Sequence, residues 1–131
     1  MRVLVFGAAG QVGRETFEAA RRRGVALVAL TRAEADLSTP GAAADAVARI
    51  VPDAVINAAA WTAVDKAETE TAAARRLNAE APAEIAAAAA RAGARLVHLS
   101  TDYVFDGSGE RALDETAPTG PLNVYGATKL E

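Results

Sequence analysis

The chain has 131 residues, no cysteine and a formal net charge of −3 at pH 7. This length favours one domain with a real hydrophobic core. Charges of both signs are scattered without a basic stripe, which argues against nucleic acid or an anionic membrane as a partner. Without cysteine the chain has no disulfide or thiolate chemistry. The first apolar run is too short for a signal peptide and no run has transmembrane length, which predicts a cytoplasmic protein.

The hydrophobic pattern predicts strands that alternate with helices along the chain. Alternation of this kind gives a parallel sheet with right-handed crossovers, so the predicted fold class is α/β, a Rossmann-type doubly wound sheet. The first helix is expected to bury a stripe made of Val12, Phe17 and Ala20. The predicted strands are 2–6, 25–30, 54–57 and 95–99. The predicted helices are 11–23, 41–50, 65–91 and one that begins at 123; Pro82 predicts a kink or a restart of the third helix near Ala81.

Three glycines follow the first predicted strand and open the first helix, with the spacing Gly7-x-x-Gly10-x-x-Gly13. In a strand-to-helix turn the first glycine permits the tight turn, the second permits close approach of a ligand, and the third lets the helix lie near the strand. The helix N-terminus then offers unpaired N–H groups to a phosphate. The context predicts a dinucleotide site, and a tight structural turn is the alternative.

The second predicted strand ends at Thr31 and Arg32. An acidic residue here would bind the ribose 2′-hydroxyl of NAD, whereas an arginine accommodates the 2′-phosphate of NADP. No acidic residue stands at this point, so the sequence permits NADPH. The alternative is a solvated loop arginine, because Asp36 could curl back onto it.

Small residues follow the third predicted strand at Ala58, Ala59 and Ala60. Small side chains let a flat cofactor lie against the backbone. From composition alone, small residues that pack under a helix explain the same run almost as well.

Tyr125 and Lys129 are four residues apart in a helical pattern and therefore share one helix face. A phenol is a poor acid near its free pKa of about 10, and a neighbouring ammonium favours the phenolate. Ser100 and Thr101 end the fourth predicted strand, where a hydroxyl can hydrogen-bond a reacting oxygen. This combination predicts acid–base chemistry beside the dinucleotide. His98 is the only histidine, and we expect it to be packed in the strand rather than to act as a general base.

Four segments of the chain occur in the order found in a known family: GAAGQVG at 7–13, NAAAWTAVDKAE at 57–68, LSTDYVFDG at 99–107 and NVYGATKL at 123–130. On these motifs the chain resembles the extended short-chain dehydrogenases/reductases, and within them the branch that reduces dTDP-4-dehydro-L-rhamnose. The resemblance covers the whole chain. It implies reduction of the C4 ketone by NADPH or NADH, which gives dTDP-L-rhamnose.

The resemblance also assigns site residues. It implies that Tyr125 donates a proton to the carbonyl oxygen, that Lys129 favours the phenolate and holds the nicotinamide ribose, and that Thr101 hydrogen-bonds the substrate oxygen. Asn78 would take a proton-relay role or would simply bond the backbone. The implied cofactor contacts are Gly7, Gly10, Gln11, Val12, Gly13, Thr31, Arg32, Asp36, Leu37, Ala58, Ala59, Ala60, Trp61, Tyr125 and Lys129. The implied substrate contacts are Thr62, Val64, Thr101, Asp102 and Tyr103; no metal site is implied.

The sequence departs from the family pattern in two respects. Trp61 stands where the family has Tyr or His, which retains a flat ring. The chain stops two residues after Lys129, whereas family members continue into further strands and a C-terminal substrate domain. We therefore expect 1–131 to be the N-terminal part of an NAD(P)-binding Rossmann domain. An exposed fourth strand would favour self-association, for example as a homodimer. We also expect weak cofactor binding and little or no turnover.

Two alternative functions remain open from the sequence. The first is a non-catalytic dinucleotide-binding module, like the reductase-like regulatory subunit of methionine adenosyltransferase. The second is a nucleotide-sugar epimerase that uses the same triad on another sugar. The presence of Thr101, Tyr125 and Lys129 argues for catalysis, and the NVYGATKL segment argues mildly against the epimerase.

Overall fold

A computed structural model describes all of residues 1–131 and contains one four-stranded parallel sheet. The strand order is β2-β1-β3-β4, so β1 is paired on both sides. Its residues Val3 to Phe6 are accordingly buried. The predicted α/β class with a parallel sheet is confirmed. The strands are β1 (Arg2–Phe6), β2 (Ala26–Leu30), β3 (Ala54–Asn57) and β4 (Arg95–His98).

The helices lie between the strands, as the alternating pattern predicts. The chain runs from β1 outward to β2 and returns past β1 to β3, so right-handed crossovers put the first two helices on opposite faces of the sheet. No helix combines the length and apolar character needed to cross a bilayer. The helices are α1 (Gln11–Arg22), α2 (Ala42–Ile50), α3 (Val64–Ala67), α4 (Thr71–Arg75), a π-helical segment (Arg76–Glu80), α5 (Ala81–Arg91), a 3₁₀ turn (Asp102–Val104) and α6 (Val124–Leu130).

The main core lies between one face of the sheet and the helices α2 and α5. Alternate residues of each strand point to the same face, and Leu4, Val55 and Leu96 are aligned by the strand register. The helices contribute mostly alanine, which permits close approach to the sheet and to each other. The fully enclosed members of this core include Leu4, Phe6, Val47, Val55 and Ile85.

The predicted buried stripe of α1 is only partly correct. Ala20 is buried, but Val12 is 44% exposed and Phe17 is 46% exposed. The other buried residue of α1 is Gly13. Because α1 approaches the backbone of Gly7 and Ala8 so closely at Gly13, a small residue occupies this contact, and the large side chains lie at the margins of the helix face.

The long helix predicted over 65–91 is interrupted twice. The chain leaves helical structure after Ala67 and resumes it at Thr71, and the π-helical segment then precedes α5. The predicted irregularity near Ala81 is therefore present, but it lies before Pro82 as a widened turn. Proline has no N–H to give to a carbonyl four residues earlier, which favours such a widening. The segment carries the buried Asn78.

Candidate functional site

The turn between β1 and α1 needs glycine at two positions. Gly7 has φ +86°, and a Cβ there would lie 2.8 Å from the carbonyl carbon of Ala58. A Cβ on Gly13 would lie only 2.2 Å from the Gly7 carbonyl oxygen. The turn is held by the N–H groups of Gly7 and Ala8, which both donate to the Leu30 carbonyl at 3.1 and 3.0 Å.

The N-terminus of α1 opens toward this turn without a side-chain cap. Its N-cap is Gly10, so no side-chain oxygen occupies the N–H groups of the first turn. The first turn also holds no acidic residue, which leaves the positive end of the helix dipole uncompensated. This end of α1 is suited to an anionic group such as a pyrophosphate.

A groove of about 540 Å³ lies over the glycine turn. It brings together residues from the ends of β1, β2 and β3, as expected for the C-terminal edge of a parallel sheet. Eleven residues named from the sequence line it: Gly7, Gly10, Gln11, Val12, Arg32, Asp36, Leu37, Ala58, Ala59, Ala60 and Thr62.

Two lining residues, Ala35 and Leu77, were missed by the sequence reasoning. Ala35 directly precedes the named Asp36, so a wider window would have found it. Leu77 lies on the π-helical segment, and no local pattern indicated that this segment reaches the groove. The five other predicted cofactor contacts lie outside the lining: Gly13, Thr31, Trp61, Tyr125 and Lys129.

The loop after β2 is organised by two carboxylates. Glu34 accepts hydrogen bonds at 2.8 Å from both the N–H and the hydroxyl of Thr31, and these bonds lower the pKa of Glu34. Asp36 accepts from the N–H and hydroxyl of Ser38, and these bonds, with a smaller contribution from Arg32, lower the pKa of Asp36.

Arg32 lies at the rim of the groove. Its Nε is 3.3 Å from Asp36 Oδ2, so the acidic residue does curl back onto the arginine. The arginine side chain nevertheless remains 80% exposed. Of Thr31 and Arg32, the two residues predicted to contact the cofactor after β2, only Arg32 stays accessible to a ligand, because the Thr31 hydroxyl is bonded to Glu34.

The loop after β3 is held by two buried asparagines. Asn57 is 1% exposed and accepts the Ala59 N–H at 3.1 Å. Asn78 is 2% exposed, accepts the Trp61 N–H at 2.8 Å and donates to the Trp61 carbonyl at 3.2 Å. The Trp61 indole donates to the carbonyl of Ala63, and its ring lines a neighbouring cavity instead of the groove.

Asn78 also donates to Thr128 Oγ1 of α6 at 3.1 Å. Its three hydrogen bonds link the loop after β3 to the helix that carries Tyr125 and Lys129. These contacts correspond to the second role considered for Asn78, hydrogen bonding to backbone.

Asn78→Leu is expected to lower the free energy of unfolding by about 2–3 kcal/mol, because it leaves buried polar groups of Trp61 without partners. The measurement is urea unfolding followed by circular dichroism. Thr128→Val is the matched control, since it removes one of the three bonds of Asn78 together with the bond from the Thr128 hydroxyl to the Tyr125 carbonyl, and it leaves both bonds to Trp61. It should cost about 1 kcal/mol. Equal losses in the two variants would contradict the assigned role.

Helix α6 is docked closely on the segment after β4. Asn123 caps it by accepting the Gly126 N–H at 2.7 Å. A Cβ on Gly126 would lie 2.2 Å from the Tyr103 carbonyl oxygen, so glycine is needed for this approach. The rings of Tyr103 and Tyr125 meet edge to face, with centroids 5.4 Å apart and planes at 79°.

Lys129 ties α6 to the end of β4. Its Nζ donates to the Leu99 carbonyl at 2.6 Å, and partial burial lowers the pKa of the ammonium. Two residues beyond Leu99, Thr101 Oγ1 accepts the Tyr103 N–H at 3.3 Å and donates to Asp102 at 3.2 Å. The three residues proposed for catalysis therefore lie on two segments that contact each other.

The remaining predicted substrate contacts are more dispersed. Asp102 and Tyr103 are exposed on the 3₁₀ turn, and Val64 begins α3. Thr62 alone among them lines the groove over the glycine turn.

His98 lies in β4 as predicted, but the expectation that it is packed there is wrong, because the residue is largely exposed. Its ring contacts Asn57 Nδ2 through Nδ1 at 3.2 Å and Lys129 Nζ through Nε2 at 3.4 Å. Partial burial and the charge of Lys129 lower the pKa of His98. The strand pattern placed His98 among apolar residues, but it could not show that β4 borders the proposed catalytic helix.

Known proteins resemble this chain over its whole length. The sequence profile of the RmlD substrate binding domain family matches residues 1–131. A dTDP-4-dehydrorhamnose reductase from Streptomyces griseus is 51% identical over 128 residues, which is 98% of this chain and 42% of that protein. The chain thus spans less than half the length of the curated relatives it matches.

Solved structures give the same result. A dTDP-4-dehydrorhamnose reductase from Clostridium acetobutylicum matches with a TM-score of 0.95 and 38% identity, over 99% of this chain and 46% of that one. The Bacillus anthracis enzyme, solved in complex with NADP, matches with a TM-score of 0.93 and 35% identity, over 98% of this chain and 46% of that one. The chain belongs to the RmlD substrate binding domain family.

Proposed function

We propose that this chain contributes the cofactor site and the proton-donating residues of a reductase that converts dTDP-4-dehydro-L-rhamnose to dTDP-L-rhamnose. The observation that carries the proposal is the contact between Lys129 and the Leu99 carbonyl at 2.6 Å. It joins the Tyr-x-x-x-Lys helix to the same edge of the sheet as the glycine-turn groove. The dTDP-4-dehydrorhamnose reductases among the relatives support the substrate and the reaction.

The cofactor in this proposal is NADPH or NADH. The pyrophosphate would lie at the uncapped N-terminus of α1, beside Gly10, Gln11 and Val12. Asp36 and Leu37 would flank the adenine. The fit is favourable because the groove is walled by the small residues after β3, and because the N-cap of α1 is Gly10, which has no side chain to occupy the first-turn N–H groups.

A bound nicotinamide supplies hydride to the C4 carbonyl of the sugar. As negative charge develops on the carbonyl oxygen, Tyr125 donates its proton to that oxygen. The ammonium of Lys129 favours the phenolate that remains, and it holds the nicotinamide ribose. Thr101 hydrogen-bonds the same oxygen once its hydroxyl turns away from Asp102.

The sugar contacts proposed are Thr62, Val64, Thr101, Asp102 and Tyr103. The alternatives, a regulatory dinucleotide-binding module and an epimerase, are not favoured, because the relatives reported above are reductases. The assignment of 1–131 to one NAD(P)-binding domain, a cytoplasmic location and a homodimer all stay predictions.

Titration of the 131-residue chain with NADPH and with NADH, followed by cofactor fluorescence, tests the first half of this proposal. We expect weak but saturable binding of at least one cofactor, and absence of binding for both would overturn it. Turnover is then measured with dTDP-4-dehydro-L-rhamnose. We expect little or none from this chain alone, and turnover at the rate of a longer relative would refute that expectation.

Arg32→Ala is expected to weaken NADPH binding by about tenfold and to leave NADH binding nearly unchanged. The expected loss is modest because the side chain is 80% exposed and already meets Asp36. A charge-assisted contact to a 2′-phosphate at an exposed site corresponds to about one tenfold step in affinity. Arg91→Ala removes an exposed arginine at the end of α5 and serves as the matched control. Equal weakening of both cofactors by Arg32→Ala would contradict a 2′-phosphate contact.

A further inference from the structure

A chain of hydrogen bonds leads from the loop after β3 to Lys129. The Ala59 N–H donates to Asn57 Oδ1 at 3.1 Å. The amide nitrogen of Asn57 then meets His98 Nδ1 at 3.2 Å, and His98 Nε2 meets Lys129 Nζ at 3.4 Å. The lysine donates in turn to the Leu99 carbonyl.

The donor and acceptor roles in this series of hydrogen bonds are fixed at Asn57, its buried member. A backbone N–H only donates, so the atom of Asn57 that faces Ala59 must be the oxygen. The amide NH₂ of Asn57 therefore faces His98, and it also only donates. His98 Nδ1 must accept, which puts the single proton of the neutral ring on Nε2.

This tautomer affects the protonation of Lys129. A protonated Nε2 faces Lys129 Nζ, and an ammonium has only donors. With an ammonium the contact joins two donors, whereas a neutral amine accepts the Nε2 proton with its lone pair. In every hydrogen bond of this series the donor then lies on the Ala59 side and the acceptor on the Leu99 side.

We propose that Asn57 and His98 are positioning residues that set the tautomer of the imidazole and thereby favour proton release from Lys129. Burial lowers the pKa of Lys129, which favours proton release as well. Burial and the charge of the lysine lower the pKa of His98, which keeps the ring neutral as the tautomer argument requires. Other ionisable groups nearby are Tyr125 on the same helix and Glu131 at its end, which pairs with Arg75 of α4 at 2.7 Å.

This inference rests on the proposed function for its chemical meaning. When Tyr125 has given its proton to the substrate oxygen, a proton must return to the phenolate. If it leaves the ammonium of Lys129, the N–H bond breaks, the phenol O–H bond forms again, and a neutral amine remains. The Nε2–H of His98 stabilises that amine until solvent protonates it.

The test needs neither cofactor nor substrate, so its outcome is separate from that of the proposed function. Because His98 is the only histidine, the ¹⁵N signals of its ring in the uniformly labelled chain are assigned without ambiguity. We expect the proton on Nε2 and a bare Nδ1 at neutral pH. A proton on Nδ1 would overturn the proposal.

Two variants test the effect on the lysine, whose signal is isolated by Lys66→Arg because the chain has two lysines. Asn57→Asp keeps an acceptor for the Ala59 N–H but demands a proton from His98 Nδ1, so it should move the ring proton to Nδ1. His98→Gln can turn its oxygen toward the lysine and adds no charge. Both should shift the titration of Lys129 to higher pH.

Val97→Thr is the matched control, since it changes a neighbouring exposed residue of β4 that points to the opposite face of the sheet. It should leave the titration of Lys129 unchanged. Asn57 is buried, so the charge introduced by Asn57→Asp could prevent folding. In that case the proposal is tested by the ring tautomer of the wild-type protein and by the Lys129 titration in His98→Gln. An unchanged Lys129 titration in folded His98→Gln would refute the proposal.

Discussion

Gly13→Ala is expected to weaken binding of NADPH and NADH by at least about 100-fold, and to lower the free energy of unfolding by about 3 kcal/mol. The added Cβ would lie 2.2 Å from the Gly7 carbonyl oxygen and 2.8 Å from Ala8 Cα. Both contacts are with backbone, so no side chain can turn aside to make room.

Relief of this clash requires α1 to move about 1 Å away from the turn at Gly7 and Ala8, since ordinary carbon–oxygen contacts begin beyond 3 Å. The N–H groups that would receive the pyrophosphate move with the helix. The turn is also tied to Leu30 by the hydrogen bonds of Gly7 and Ala8, so the strain reaches β2. The loss of affinity, at least about 2.7 kcal/mol, is therefore comparable with the loss of stability.

The measurement pairs cofactor titration with urea unfolding. Gly24→Ala is the matched control, because that glycine has φ +64° and nothing lies within 4 Å of the added Cβ. It should cost about 1 kcal/mol from the left-handed conformation and leave binding unchanged. Wild-type affinity in folded Gly13→Ala would show that the turn does not hold the cofactor.

The sequence was sufficient where the signal was local. The apolar runs of β1 and β3 are short and continuous, and the strands are followed directly by Gly7 and by Ala58, so the bounds of both strands and the positions of the following loops were predicted correctly. The parallel order then placed the ends of these strands at one edge. That is why most residues of the groove could be named before the structure, including Asp36 and Leu37 on an irregular loop.

The sequence was insufficient for individual side-chain contacts, both within one loop and between distant segments. Glu34 bonds Thr31 within one loop, but nothing in the pattern distinguished it from the neighbouring carboxylate of Asp36. Asn78 lies 17 residues from Trp61 and 50 from Thr128, and its inward direction depends on a widened helical turn.

The exposed side chains of α1 have a similar explanation. A helical pattern shows which residues share a face, but it does not show how close the helix comes to the strand. Gly13 and Ala20 occupy the contact because the glycine turn draws the helix inward. Phe17 lies at the margin of the contact. At the centre of the contact, its size would hold the helix away from the sheet.

Tyr125→Phe is expected to slow hydride transfer by about 10²- to 10⁴-fold, which is the usual contribution of a positioned general acid. Phenylalanine retains the edge-to-face contact with Tyr103, whose ring centroid is 5.4 Å away, and loses only the O–H group. Helix α6 keeps its cap at Asn123 and its tie from Lys129 to Leu99. Cofactor binding should therefore change by less than about twofold.

Because little or no turnover is expected from the 131-residue chain alone, the rate is measured with these residues in a full-length reductase of the family. The experiment is a single turnover, with the enzyme in excess over dTDP-4-dehydro-L-rhamnose and with cofactor bound, so that slow chemistry is still detected. Tyr103→Phe is the matched control, because it also removes one hydroxyl and keeps the same ring contact. It should reduce the rate by less than about tenfold, since it alters a sugar contact and not the proton donor. Equal rates in the two variants would remove Tyr125 from the role of acid. If Tyr125→Phe lost as much cofactor affinity as rate, the hydroxyl would instead have a binding role. Removal of a group that acts only in the transition state lowers the rate and leaves the affinity for the cofactor unchanged.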